Sequence, residues 1–166
     1  RGGLDMDTAA LPALDDALQT AAVGNAERLR SGDRLPEVAA LVWDHHTGYV
    51  EALVGGLAWT ARGAFDRALQ SCRQPGSAWK PIVYGAALDS GAITPGTALR
   101  DAPVTEYDPT TNTEWKPRSG EGFHGLVLAV DALAASLNAP AIDVFERAGT
   151  GRVIALARRL GITTPL

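Results

Sequence analysis

Between residues 92 and 125 the chain meets Pro95, Pro103, Pro109 and Pro117, with four glycines among them. Proline has no N–H and its ring clashes with the preceding turn, so it ends or kinks a helix interior. The intervals between these prolines are too short for a helix of ordinary length. The stretch is therefore expected to be a long excursion with little regular structure. Regular elements must come from the flanks. Upstream, Leu11, Leu14, Leu18, Ala21 and Ala22 recur at helical spacing, which predicts a helix over 8–23 with Thr8 as its N-cap; Pro12 falls early enough to be tolerated. The polar segment "NAERLRSGDRLPE" is expected to end that helix. Two β-prone runs, 38–43 and 49–54, flank a turn holding Asp44 and Gly48 and predict a hairpin. Residues 55–76 look irregular. A helix is expected from Ser77 to Ser90 with Gly91 as its C-cap. After the excursion come three short helices, about 126–136, 140–148 and 151–160, the last capped by Thr150. Helix, hairpin, helix, excursion and helices make the class α+β, or mainly α with a small sheet.

Bulk properties narrow the function. The chain has 166 residues, 46% hydrophobic and 20% charged, which suits one domain or part of one with a real core. A net charge of −4 with no basic run argues against a nucleic-acid partner. The single cysteine, Cys72, excludes an internal disulfide and leaves the compartment open. No apolar run approaches the ~20 residues of a membrane span, and the N-terminus carries no signal-peptide pattern. A membrane anchor, if there is one, lies outside this sequence.

Lysine is scarce, with two against thirteen arginines. One of the two, Lys80, stands three residues after Ser77 in "QPGSAWKP". A serine hydroxyl is a weak nucleophile that needs a neighbouring base. Lysine can give up its proton and arginine cannot. On a helix, residues i and i+3 share a face, so Ser77 and Lys80 meet if the helix begins at or just before Ser77. Pro81 supports such a start, since proline belongs in a first turn. Gly76 lets the chain turn into it. A helix N-terminus would add orphan N–H groups able to hold an oxyanion. The same four residues also suit a helix cap followed by a surface charge, and spacing alone does not separate the two.

The flanks carry a resemblance. "RQPGSAWKPIVYGAALDSG" resembles the first active-site motif of the penicillin-binding transpeptidases, class A in particular. "ALAASLNAPAIDVFERAG" resembles the segment around their second motif, Ser-x-Asn, here Ser136, Leu137 and Asn138. "EWKPRSGEGFHGLVLAVDAL" is similar to the connecting segment, and "VAALVWDHHTGYVEALVGG" to the first hairpin. The third motif, Lys-Thr/Ser-Gly, occurs nowhere in the sequence. The resemblance implies an α+β fold of the penicillin-binding transpeptidase and serine β-lactamase type, incomplete here: an N-terminal β-hairpin and a helical subdomain without the remaining sheet strands. The parts would be 1–56 (helix and hairpin), 57–91 (the nucleophile helix and its approach) and 92–166 (long loop and helical subdomain).

What the resemblance implies for function is peptidoglycan D,D-transpeptidation through a serine acyl-enzyme. Ser77 would attack D-Ala-D-Ala stem peptides, Lys80 would take its proton, Ser136 would relay a proton to the leaving group, and Asn138 would bind the substrate amide and position Lys80. β-Lactams would be trapped on Ser77. No metal and no organic cofactor are implied. An upstream glycosyltransferase domain and downstream strands would be partners in the same protein, placed at the extracytoplasmic, periplasmic face of a bacterial cell membrane. Without the third motif, this segment alone is expected to be poorly active. The alternatives are a D,D-carboxypeptidase or β-lactamase-type serine acyl-enzyme, and a non-catalytic penicillin-binding sensor or interaction domain. No Glu-x-x-Leu-Asn-type segment follows Asn138, which disfavours the β-lactamase.

Other residues read more simply. His45 and His46 are expected to be a solvated pair in the hairpin turn. His124 is expected to make a structural hydrogen bond, Cys72 to be a packed thiol, and Trp79 to join the core. Tyr107 and Trp115 could line a substrate groove or be buried beneath the excursion.

Overall fold

The computed structural model describes residues 8–58, 65–108, 112–116 and 122–166. The chain divides into two compact units, Arg1–Arg73 and Gln74–Leu166. The class is α+β: five α-helices, one 3₁₀ turn and three two-stranded antiparallel sheets among the described residues.

In the first unit, helix α1 spans Pro12–Arg28. It starts and ends later than periodicity predicts. Leu11, in extended conformation, is the N-cap and Pro12 opens the helix, so Thr8 lies outside it. The polar residues after Val23 do not end it, because Ala22 and Ala26, four apart on one face, are both buried. The hairpin forms as expected: β1 (Ala40–Trp43) pairs antiparallel with β2 (Val50–Val54). Ala40, Val42, Ala52 and Val54 share one face by register, and Ala52 and Val54 are buried. β2 packs against α1. The outward groups of β2 are also tied to that helix: the Leu11 N–H donates to Glu51 O (2.8 Å), and the Leu53 N–H to Asp15 Oδ1 (2.9 Å). The turn closes on Asp44, whose carboxylate accepts from the His46 N–H (2.9 Å) and the Thr47 hydroxyl (2.8 Å). Gly48 takes the left-handed φ of 76° that this turn needs.

The second unit is built on α2 (Lys80–Asp89), entered through a 3₁₀ turn over Gly76–Trp79. The helix predicted from Ser77 is thus real, with its first turn wound tighter than α. Pro81 sits in the first turn of α2, and Gly91 follows the C-cap Ser90 with φ 71°. Val83, Tyr84, Ala86 and Ala87 turn inward from α2 and meet Ile93, Leu99, Ala132, Val144 and Val153 in one core. Trp79 packs against it, as expected. The Tyr84 hydroxyl is buried without a partner among the described residues, and burial, helped by Asp143, pushes its pKa up to about 12.

The excursion departs from expectation. It contains four strands: β3 (Ala98–Asp101), β4 (Glu106–Asp108), β5 (Thr113–Trp115) and β6 (Gly125–Leu128). β3 pairs with β6, and β4 with β5. The prolines stop helices but leave three- and four-residue strands room between them, and pairing to a distant segment is not visible in local composition. β6 takes the residues expected to open the next helix, so α3 is only Ala129–Ala134. Helix α4 is Asn138–Ala148, two residues longer at its start than predicted, and α5 is Thr150–Arg159. Gly149, not Thr150, is the N-cap of α5; its φ of 77° lets one residue end α4 and begin α5.

Candidate active site

All four candidate site residues lie in the second unit. Ser77 is exposed on the 3₁₀ turn. Lys80, the first residue of α2, is buried, at 9% exposure. Its ammonium donates to the Ser136 carbonyl, to Ser136 Oγ (3.1 Å) and to Asn138 Oδ1 (2.7 Å). Residues 56 and 58 positions apart in sequence therefore converge on one nitrogen. An ammonium has three N–H donors and no acceptor, so these partners saturate Lys80. No hydrogen bond joins the Ser77 and Lys80 side chains among the described residues; the Lys80 donors go to the Ser136 carbonyl and hydroxyl and to the Asn138 amide oxygen. Burial nevertheless pushes the Lys80 pKa below that of an ordinary lysine. The orphan N–H groups expected around Ser77 are partly engaged: Ala78 donates to Pro75 O (3.2 Å), and Lys80 to Ser77 O.

Ser136 is held in place by an uncommon backbone. It has φ 54°, one of two non-glycine residues with positive φ among the described residues. It follows the α3 C-cap Ala135. The Ser136 N–H donates to Leu133 O (3.0 Å) and the Leu137 N–H to Ala132 O (2.9 Å), which is the Schellman pattern. The same pattern ends α2 and α5, with Gly91 and Gly161 at the equivalent position. Where this chain twice uses glycine for a left-handed helix end, here it carries a serine whose hydroxyl meets Lys80. Leu137 then returns to extended backbone and caps α4, so Asn138 enters on that helix's first residue.

Beside this cluster lies a pocket of about 420 Å³. Lys80 and Val83 of α2 form one side. Asn138, Ile142 and Glu146, at i, i+4 and i+8 of α4, form another with Phe145. Glu106 and Trp115, directly opposed across β4 and β5, form the third. Trp115 thus does line a groove and is half-exposed, not buried under the excursion. Tyr107 is exposed as well and donates its hydroxyl to the Asn112 side chain. Sequence reasoning missed Glu106 and Glu146. The helical spacing from Asn138 to Glu146 was there to be read, but Glu106 depends on a strand pair hidden in the excursion.

His124 makes the expected structural contact. Its N–H and its Nδ1 both meet Asp101 Oδ2, at 3.0 and 2.7 Å, and Asp101 is almost fully buried. Asp101, which the sequence reading passed over, fastens the entry of β6 to the end of β3. Cys72 is exposed, not packed. In the hairpin turn the ligand atoms of Asp44, His45 and His46 lie within 4.8 Å of one another. No helix among the described residues is long and apolar enough to cross a membrane. Residues 117–121 of the connecting segment lie outside the described residues.

The family profile of the penicillin binding protein transpeptidase domain matches residues 38–165. The chain belongs to that family. It is 39% identical over 120 residues to penicillin-binding protein 1A of Neisseria gonorrhoeae, covering 71% of this chain and 15% of that protein. It is 37% identical over 135 residues to penicillin-binding protein 1C of Escherichia coli K12, covering 78% and 17%. The chain thus spans about a sixth of the curated relatives it matches. Among solved structures it resembles the penicillin-binding protein PonA1 of Mycobacterium tuberculosis, with TM-score 0.74 and 28% identity over 98% of this chain and 39% of that one. It also resembles penicillin-binding protein 1A of Haemophilus influenzae, with TM-score 0.60 and 32% identity over 69% and 17%. The α+β fold expected from the motifs is that of this family, as an incomplete version of it.

Proposed function

We propose that this chain carries the nucleophile half of a peptidoglycan D,D-transpeptidase site. The observation that supports it most is the buried Lys80, saturated by Ser136 and Asn138, three residues after an exposed Ser77. A lysine placed for surface charge would not be desolvated, and burial lowers the pKa toward the range useful for a base.

The steps balance as acyl transfer. Lys80, as free amine, takes the proton as Ser77 Oγ bonds to the carbonyl carbon of the D-Ala-D-Ala peptide bond. The C–N bond breaks, and the departing D-alanine amine gains a proton by way of Ser136. The resulting Ser77 ester is then attacked by an amine of a second stem peptide, which restores the hydroxyl. A β-lactam follows the first half and stays as the ester. Asn138 holds Lys80 through its side-chain oxygen and offers its amide to substrate. The working protein would act at the extracytoplasmic face of a bacterial membrane, with further domains of the same protein.

The test is penicillin labelling of the intact protein, read by mass spectrometry of a digest. An adduct on Ser77, lost in Ser77→Ala and in Lys80→Arg, is the expected result. An adduct on Ser71 or Ser136, or acylation of Lys80→Arg within tenfold of the parent, would overturn the assignment.

A further inference from the structure

Among the described residues two charged side chains are buried: Lys80 in the site, and Asp101, 2% exposed, outside the Lys80 cluster. The Asp101 carboxylate accepts from the His124 N–H (3.0 Å) and faces its ring Nδ1 at 2.7 Å. A carboxylate only accepts, so Nδ1 carries the hydrogen. Burying a charge on such a pair is a poor source of stability, and its best-attested use is to fix a register.

The register between β3 and β6 needs such a device. β3 alternates: Leu99 and Asp101 are buried, Ala98 and Arg100 exposed. β6 does not alternate in chemistry. Val127 packs on the core opposite Leu99, yet Leu126 (78% exposed) and Leu128 (45% exposed) are just as apolar. Sliding β6 by one residue would turn both leucines inward and Val127 outward. Hydrophobic pattern specifies register only where the two faces of a strand differ, so it does not hold this one. The slide would also move the site. α3 follows β6 without a loop, Leu128 being its N-cap, and the Ala129 N–H donates to Thr97 O (2.9 Å). At the other end of α3, Ser136 Oγ lies 3.1 Å from the Lys80 ammonium. One strand residue is about 3.3 Å, enough to carry Ser136 out of hydrogen-bond reach.

We propose that Asp101 and His124 are positioning residues for acylation: they pin the register of β3 with β6 and so, through α3, place Ser136 against Lys80. This rests on the role given to Ser136 above.

Two measurements on the intact protein test it. The first is the rate of acylation by benzylpenicillin, with folding checked by circular dichroism. His124→Ala should slow it about tenfold or more, as misplacement near the reacting groups does. His124→Asn, which keeps a donor where Nδ1 stands, should stay within about threefold of the parent. In a Ser136→Ala background, His124→Ala should cost less than about twofold more, because residues acting through one another are not additive. The second is disulfide trapping with Cys72→Ser, Arg100→Cys and Leu126→Cys. Residues 100 and 126 are directly opposed, hence within disulfide reach. The pair should cross-link with His124 or Asn at 124 and lose most of its yield with His124→Ala. Equal slowing in both Ser136 backgrounds, Asn behaving as Ala does, or an unchanged cross-link overturns the proposal. Trapping needs no penicillin. A parent that is not labelled, with the cross-link still dependent on His124, would sink the catalytic reading and leave the register pin standing.

Discussion

Ser136 has φ 54° where α2 and α5 end on Gly91 and Gly161. A left-handed conformation costs a residue with a Cβ roughly 1–2 kcal/mol. Ser136→Gly should therefore stabilise the chain by up to about 1 kcal/mol, after allowing for the added freedom of the unfolded backbone. It should at the same time slow penicillin acylation, because Lys80 loses the hydroxyl at 3.1 Å. Denaturant midpoints and acylation rates measured side by side check this; a variant that loses stability would mean the serine is there for structure. Lys80 adds a pH prediction. In the proposed mechanism its free amine is the active form, and burial lowers its pKa, so acylation should rise with pH through a midpoint below the ordinary lysine value and then level off. A midpoint at or above that value would show that burial does not tune this lysine.

At the scale of elements, Gly55 approaches the turn at Asp66 too closely for a side chain. A Cβ on Gly55 would lie 2.6 Å from Asp66 Oδ1 and 3.2 Å from Asp66 Cα. That carboxylate cannot swing away freely, since it accepts from the Ala68 N–H (2.9 Å), and the Arg67 N–H donates to Gly55 O (2.9 Å). Gly55→Ala should cost about 1–3 kcal/mol, as overpacking does, and lower the denaturant midpoint. An unchanged midpoint would show that the turn relaxes without loss. The glycine pair after the second strand reads in sequence only as a breaker. The reason for it is a segment eleven residues further on.

At the scale of the whole molecule, the boundary between the two compact units falls at Arg73, in an exposed segment without regular structure. Such boundaries are where proteases cut first. Brief trypsin treatment should cleave after Arg73 before it cleaves after Arg100 in β3 or Arg152 in α5. Mass spectrometry of early fragments checks the order; first cuts inside α5 would mean that the second unit opens more readily than the segment joining the two.

Sequence by itself was enough for what is local or contiguous: the hairpin around Asp44, the helix start at Ser77 with Pro81 in its first turn, and the Ser-x-x-Lys and Ser-x-Asn motifs. These follow from turn chemistry, proline's missing N–H and side-chain types at short spacing. Tertiary structure alone decided where the donors of Lys80 go. Spacing puts the lysine three residues from Ser77; only the fold brings Ser136 and Asn138 to its ammonium. It likewise decided that the proline-rich excursion pairs into two small sheets and sets Glu106 and Trp115 across from Glu146. Those outcomes depend on contacts between residues tens of positions apart. Local composition limits such pairings and does not choose among them, because burial and hydrogen-bond partners are set by what the rest of the chain brings alongside.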